Sequence, residues 1–250
     1  MPGSDTLDQS GRREHTTGFR RQLRRQVLEH RHLDVSLMIT LTFVTGLVDA
    51  VGFLSFDKVF TGNMTGNLVI LGMALGGAPD LPVLGPTIAV CTFAFGAMLT
   101  GVMLRRQPPG WSGRTIWMLA TCSGALLLVT LTALFVPPHT QEMQLLGAAI
   151  TAAVMGAQAG VARKVAVKDM TTVVVTSTLT SLASEDLLRA DRTALLNRRG
   201  GAIVTIVAGA LTGALLLRQE LALPLALASL LTALVALTAW WAHPQADRRS

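Results

Sequence analysis

Asp49 stands in an apolar stretch running from Val35 to Phe56, and just beyond it comes Phe60-Thr-Gly-Asn-Met-Thr-Gly-Asn67. A carboxylate can release a proton, hold a cation or accept several hydrogen bonds. Amides and hydroxyls such as Asn63, Thr65 and Asn67 can cap a helix or present themselves to a polar solute. In hydrocarbon each of these groups needs a partner inside the protein, so together they point to a functional site. Gly62 and Gly66 permit close backbone approach around them. A half-helix starting near Thr65 would turn its free N–H groups, and the positive end of its dipole, toward the interior. Two roles are then open for Asp49: a solute- or proton-binding group beside the half-helix tip, or a cap that holds that tip in place.

The elements that must position these residues are membrane spans. Half of the residues are hydrophobic, 14% are charged and the mean hydropathy is +0.50; the low charge and the high hydropathy both depart from a soluble domain. Val35–Phe56, Leu84–Leu104, Thr115–Val136, Met143–Ala162, Ala202–Leu217 and Leu221–Ala242 are almost free of charge. Each approaches or exceeds the ~20 residues a helix needs to cross ~30 Å. The segment before the first is polar and Arg-rich and no cleavage-type ending follows it, so Val35–Phe56 is expected to remain as a span. The expected fold is all-α, a polytopic membrane helix bundle.

Met64–Gly77 and Thr171–Ala183 are apolar but too short to cross, which suits re-entrant or half-helices. Charge supports this. With six spans and both termini inside, only Lys58 and Arg218 of the 21 Lys and Arg fall outside. Full crossings by the short segments would give eight spans and weaken that bias.

The two halves look alike. Gly46-Leu-Val-Asp49-Ala pairs with Gly156-Ala-Gln158-Ala, Thr61 to Asn67 with Thr171 to Thr178, and Gly96 to Gly101 with Gly209 to Gly213. Three crossings per half would set the second half upside down, the inverted-repeat plan of many transporters and channels. The expected organisation is a basic cytoplasmic arm over 1–34, membrane halves over 35–136 and 141–242, and a tail over 243–250.

Gly46, Asp49 and Ala50, followed by Phe60, Asn63, Met64, Thr65, Gly66 and Asn67, resemble the signature of the YoaK-type family of bacterial transmembrane proteins. Gly156 and Gln158 resemble its second-half motif. The resemblance runs from Val35 to Ala242 and departs at Ser177, where the family pattern expects glycine. It implies a bacterial inner-membrane setting and leaves the activity open.

Gln158 and Thr176 form an uncharged counterpart of the first site, suited to interhelical hydrogen bonding. Gly62/Gly66, Gly72/Gly76, Gly156/Gly160 and Gly209/Gly213 are small-x-x-x-small pairs that let helices approach, with a homo-oligomer as a further use. Within 18–33, Phe19, Leu23, Val27 and Leu28 recur at helical spacing beside five arginines, a basic amphipathic pattern suited to anionic inner-leaflet lipids. Basic charge without a recognition motif argues against nucleic acid. All five histidines lie outside the spans, Cys91 and Cys122 have no metal-ligand spacing, and no catalytic motif is present. No cofactor and no enzyme activity are expected. A transporter or channel for a small polar solute is the leading expectation; a membrane scaffold or regulatory or assembly protein is the alternative, and an intramembrane enzyme comes third.

Overall fold

The structure, a computed structural model, describes residues 32–136, 140–165 and 198–244. Backbone contacts divide the chain into Met1–Ser36 and a compact body, Leu37–Ser250. The basic arm, apart from its last residues, and the second short polar segment with Thr176 lie outside the described residues.

Seven helices and no strand occur among the described residues. They are α1 (His32–Ser55), α2 (Met64–Leu75), α3 (Leu84–Met103), α4 (Gly113–Phe135), α5 (Gln141–Val165), α6 (Arg198–Leu217) and α7 (Ala222–Ala242). All but α2 hold apolar spans of 18 to 25 residues, long enough to cross a bilayer. Helix α2 has 12 residues, or about 18 Å, and cannot cross. The chain is a multi-pass membrane protein built as a helical bundle. Its outward side chains agree: Phe95, Val102, Leu128, Val204, Val207 and Leu211 are exposed, which is stable only against lipid.

Most buried threonine hydroxyls inside the spans bond within their own helix. Thr42, Thr45, Thr100, Thr130, Thr151 and Thr232 each donate to the carbonyl four residues earlier in their own helix. They therefore add no stranded polar group to the core. That core joins Val44, Leu47 and Val48 of α1 to Cys122 and Leu126 of α4, Val154 and Met155 of α5, and Ala228 of α7. Cys91, by contrast, lies exposed on α3.

Two glycine crossings fix how the spans meet. A Cβ on Gly46 would strike the Ile206 carbonyl, and one on Gly209 would strike the Phe43 carbonyl. A Cβ on Gly96 would strike the Ala153 carbonyl, and one on Gly156 the Phe93 carbonyl. In all four cases the obstacle is the carbonyl three residues before the partner glycine, so both crossings have one register. Gly213 faces Leu47 and Ala50, and Gly160 faces Thr100, so numbering rises together along each pair and the pairs are parallel. Helix α1 thus lies on α6, and α3 on α5. Of the four expected small-residue pairs, only Gly156/Gly160 and Gly209/Gly213 face another helix in this way. Nothing lies within 4 Å of a Cβ on Gly72, while Gly62 and Gly66 shape the turn before α2.

Between α1 and α2 the chain makes a short excursion into the bundle. It leaves through Asp57 and Lys58, both left-handed with φ 56°, runs in irregularly to Asn63, and returns as α2. Lys58 Nζ donates to the Asp80 carbonyl at 2.8 Å, so the two ends of the excursion meet. The tip is therefore Thr61-Gly62-Asn63. The Asp57 carboxyl is pushed above its usual pKa by burial, opposed by the Lys58 charge, and its Oδ2 has no hydrogen-bond partner.

Candidate functional site

Most polar side chains in the spans bond within their own helix, so a side chain that reaches out of its helix stands apart. Asp49 and Gln158 do this around one space, and Ser123 and Ser229 do it between α4 and α7.

Asp49 lies six residues before the end of α1, about 9 Å along the axis, on the inward face with 8% exposure. Its Oδ1 accepts the Gly62 N–H at 2.6 Å and the Thr61 hydroxyl at 3.4 Å. These donors belong to the tip just ahead of α2. A carboxylate is the strongest acceptor available for free N–H groups in hydrocarbon, and charge-assisted bonds of this kind are short. Gly62 is required by the approach: a Cβ there would lie 2.8 Å from Thr45 Cγ2 and 3.4 Å from Asp49 Oδ1.

The helix cap itself is Asn63, whose Oδ1 accepts the Gly66 N–H at 3.2 Å. The fully buried Asn67 turns its amide back on the loop: Nδ2 donates to the Phe60 carbonyl at 2.6 Å, and Oδ1 accepts the Phe60 N–H at 2.8 Å. Both backbone groups of Phe60 are thereby satisfied without any strand. The Phe60 ring stacks on Phe53 at 5.0 Å and covers Gly66, where a Cβ would come within 2.8 Å of it. Thr65 is exposed on the first turn of α2. Asn63, Gly66 and Asn67 therefore build the tip, and Asp49 anchors it.

Gln158, 2% exposed on α5, donates from Nε2 to the Leu41 carbonyl of α1 at 3.3 Å. That oxygen also accepts from Thr45 at 2.9 Å. Gln158 Oε1 is buried with no hydrogen-bond partner. Turning the amide over would set Oε1 against the Leu41 carbonyl, so its orientation is fixed by this bond.

A cavity of about 10 Å³ lies here, walled by Thr45 of α1, Gly62 of the tip, Phe93 of α3, and Met155, Gln158 and Ala162 of α5. It has room for about one water-sized particle. The first-half site and Gln158 of the second half thus share one small space, with the Asp49 carboxylate one hydrogen bond behind its Gly62 wall. Thr45 and Thr61 were not singled out from sequence as site residues. Thr45 is one turn before Asp49 on the same face, and that i, i+4 spacing was the available signal.

The family model for the protein of unknown function DUF1275 matches residues 37–238. The UPF0700 transmembrane protein YoaK of Bacillus subtilis (strain 168) is 30% identical over 159 residues. That match covers 60% of this chain and 66% of YoaK, a little under two thirds of the relative's length. No solved structure matches the chain.

Proposed function

The chain belongs to the DUF1275 family of proteins of unknown function, and on that premise we propose that it is a transporter or channel for a small polar solute. The observation that carries this is the tip: irregular backbone seated inside an apolar bundle, gripped by an intramembrane carboxylate and walling a cavity. Non-helical backbone at membrane depth is tolerated where it is buried in protein or lines a cavity, and discontinuous helices mark the sites of many carriers.

An inverted repeat supports the same reading. The proposed correspondence pairs Gly46 with Gly156 and Gly96 with Gly209; exchanging the halves turns the α1–α6 crossing into the α5–α3 crossing, in the same register. In the membrane we place both termini and the Arg105–Arg114 loop on the cytoplasmic side of a bacterial inner membrane, with the arm on anionic lipids, by the positive-inside bias. The activity assigned is passage of a solute, with no bond made or broken.

A membrane scaffold is the second reading, favoured by one observation: Asn63 and Asn67 spend their side-chain acceptors on local backbone. Flux separates the two. Reconstituted in liposomes and screened against amino acids, sugars and small ions, the wild-type chain moves at least one solute above empty liposomes. Asp49→Asn, an isostere that keeps an acceptor for Gly62, reduces that flux or changes its pH profile. A folded chain that moves nothing in the whole screen supports the scaffold.

A further inference from the structure

We propose that Asp49 is a proton-binding site that works the tip: a proton taken up at Oδ2 discharges Oδ1, which then lets Thr61 and Gly62 go. This rests on the transporter reading and names the proton as the ion that accompanies the solute.

The first argument is charge. A carboxylate inside an apolar bundle calls for a counter-charge or a proton. Asp49 pairs with no Lys, Arg or His among the described residues; its bonds come from the neutral Gly62 N–H and Thr61 hydroxyl, with the Thr61 and Asn63 N–H groups close by. Nothing else around it titrates. The cavity wall behind Gly62 holds Thr45, Phe93, Met155 and Gln158, and α6, packed along Leu47 and Ala50, is uncharged from Gly200 to Leu217. Cys122 of α4, in the core with Val48, gives its thiol to the Val154 carbonyl. Asp57, Lys58 and Asp80 stand apart, at the mouth of the excursion.

The second argument is the division between the two oxygens. Oδ1 takes both hydrogen bonds from the tip and Oδ2 takes none from a described residue, so a proton has an oxygen to itself. Unlike Gln158 Oε1, Oδ2 is not sealed from its surroundings. A proton there turns the carboxylate into the acid, and both bonds on Oδ1 fall from charge-assisted to neutral, about half as strong.

The third argument is that the excursion is built to move as one piece. Inside it Asn67 holds Phe60, Asn63 holds Gly66, and Lys58 ties the two ends through the Asp80 carbonyl. At those ends Asp57, Lys58, Gly77 and Asp80 are left-handed, bends at which a hinge can turn. Among the described residues the tip's hydrogen bonds to α1 all end on Asp49 Oδ1. One proton therefore acts on the whole latch.

The test follows the tip itself. The full chain in detergent is exchanged into heavy water at about pH 5 and about pH 8, with rates corrected for the intrinsic effect of pH. Residues 60–67 exchange about tenfold faster at the lower pH, as the loss of charge-assisted bonding requires. Asp49→Asn, which is neutral throughout, exchanges at the fast rate at both. Asp57→Asn, which removes a carboxyl at the mouth of the excursion, keeps the full response. If Asp49→Asn does not fold, Thr61→Val serves: the carboxyl keeps one bond, so exchange is faster at about pH 8 and gains less on acidification. Equal corrected exchange at the two pH values in the wild type overturns the proposal. A response that survives Asp49→Asn, or that vanishes with Asp57→Asn, overturns it too. Liposome flux with a dye for lumenal pH keeps the two readings apart. Solute entry without proton entry, or with a tip indifferent to pH, removes only the proton proposal. A pH-responsive tip in a chain that moves no solute leaves the proton site standing and removes only the transport reading.

Discussion

Ser123 of α4 and Ser229 of α7 exchange hydrogen bonds, each hydroxyl donating to the other's carbonyl oxygen at 2.9 Å. The two residues make the same bond in opposite directions, so α4 and α7 meet with local two-fold symmetry. Ser123→Ala and Ser229→Ala should therefore cost the same, about 0.5–1.5 kcal/mol each, because each removes one interhelical bond. Thermal melts of the two variants check this. A large effect from one and none from the other would show that the two bonds are not equivalent.

At the glycine crossings a methyl group has nowhere to go. Gly46→Ala, Gly96→Ala, Gly156→Ala and Gly209→Ala should each destabilise by more than about 2 kcal/mol, because backbone must separate to admit the new carbon. Gly72→Ala, open to at least 4 Å within α2, should leave stability equal or raise it by about 0.5–1 kcal/mol. Comparable losses at Gly72 and Gly46 in the same melts would refute the crossing argument.

Asp57 carries two penalties, a left-handed backbone and a buried carboxylate oxygen without a partner. Its native pKa is raised, so the folded state holds the proton more tightly than the unfolded one. Stability from this group is then greatest at low pH and falls as pH rises from the ordinary carboxyl range through the raised native value. Asp57→Asn suits the left-handed conformation and loses the charge. It should melt higher than wild type at pH 7 and flatten the acid-to-neutral decline in Tm. A steeper decline in the variant would reverse the sign.

Topology can be read by cysteine labelling from the outer face in a Cys-free chain. Ala78 and Thr140 should react, and Arg106, exposed in the α3–α4 loop, should not. Ser112 is unsuitable for this purpose, since it is the buried N-cap of α4 in a capping box with Thr115. Reaction at Arg106 from outside would overturn the six-span arrangement.

The spans and the half-helix were legible because length and hydropathy alone decide what can cross hydrocarbon, and Met64 to Leu75 is simply too short. The meeting of Asp49 with the tip was legible too, since a half-helix must bring its start to the depth of the carboxylate. The use of Asn67 was not. Its type says that it needs partners, while the choice of the Phe60 backbone over a solute depends on where the loop folds back. Gly46 and Gly96 look like any glycine in a small-residue span until their partners are known. For Gln158, sequence supplied an interhelical bond, and Nε2 makes one to Leu41; that Oε1 would be left over depends on packing no motif encodes.

The pairing of α1 with α6 also sets a timetable. Gly209 leaves the ribosome roughly 160 residues after Gly46, which at about 5–20 residues per second is a wait of about 8–32 s. Gly156 follows Gly96 by only about 60 residues, so α3 meets α5 far sooner. The first span made thus waits longest for its groove. Throughout that interval lipid, or the insertion machinery, must cover the face of α1 that bears Phe43, Gly46, Leu47 and Ala50.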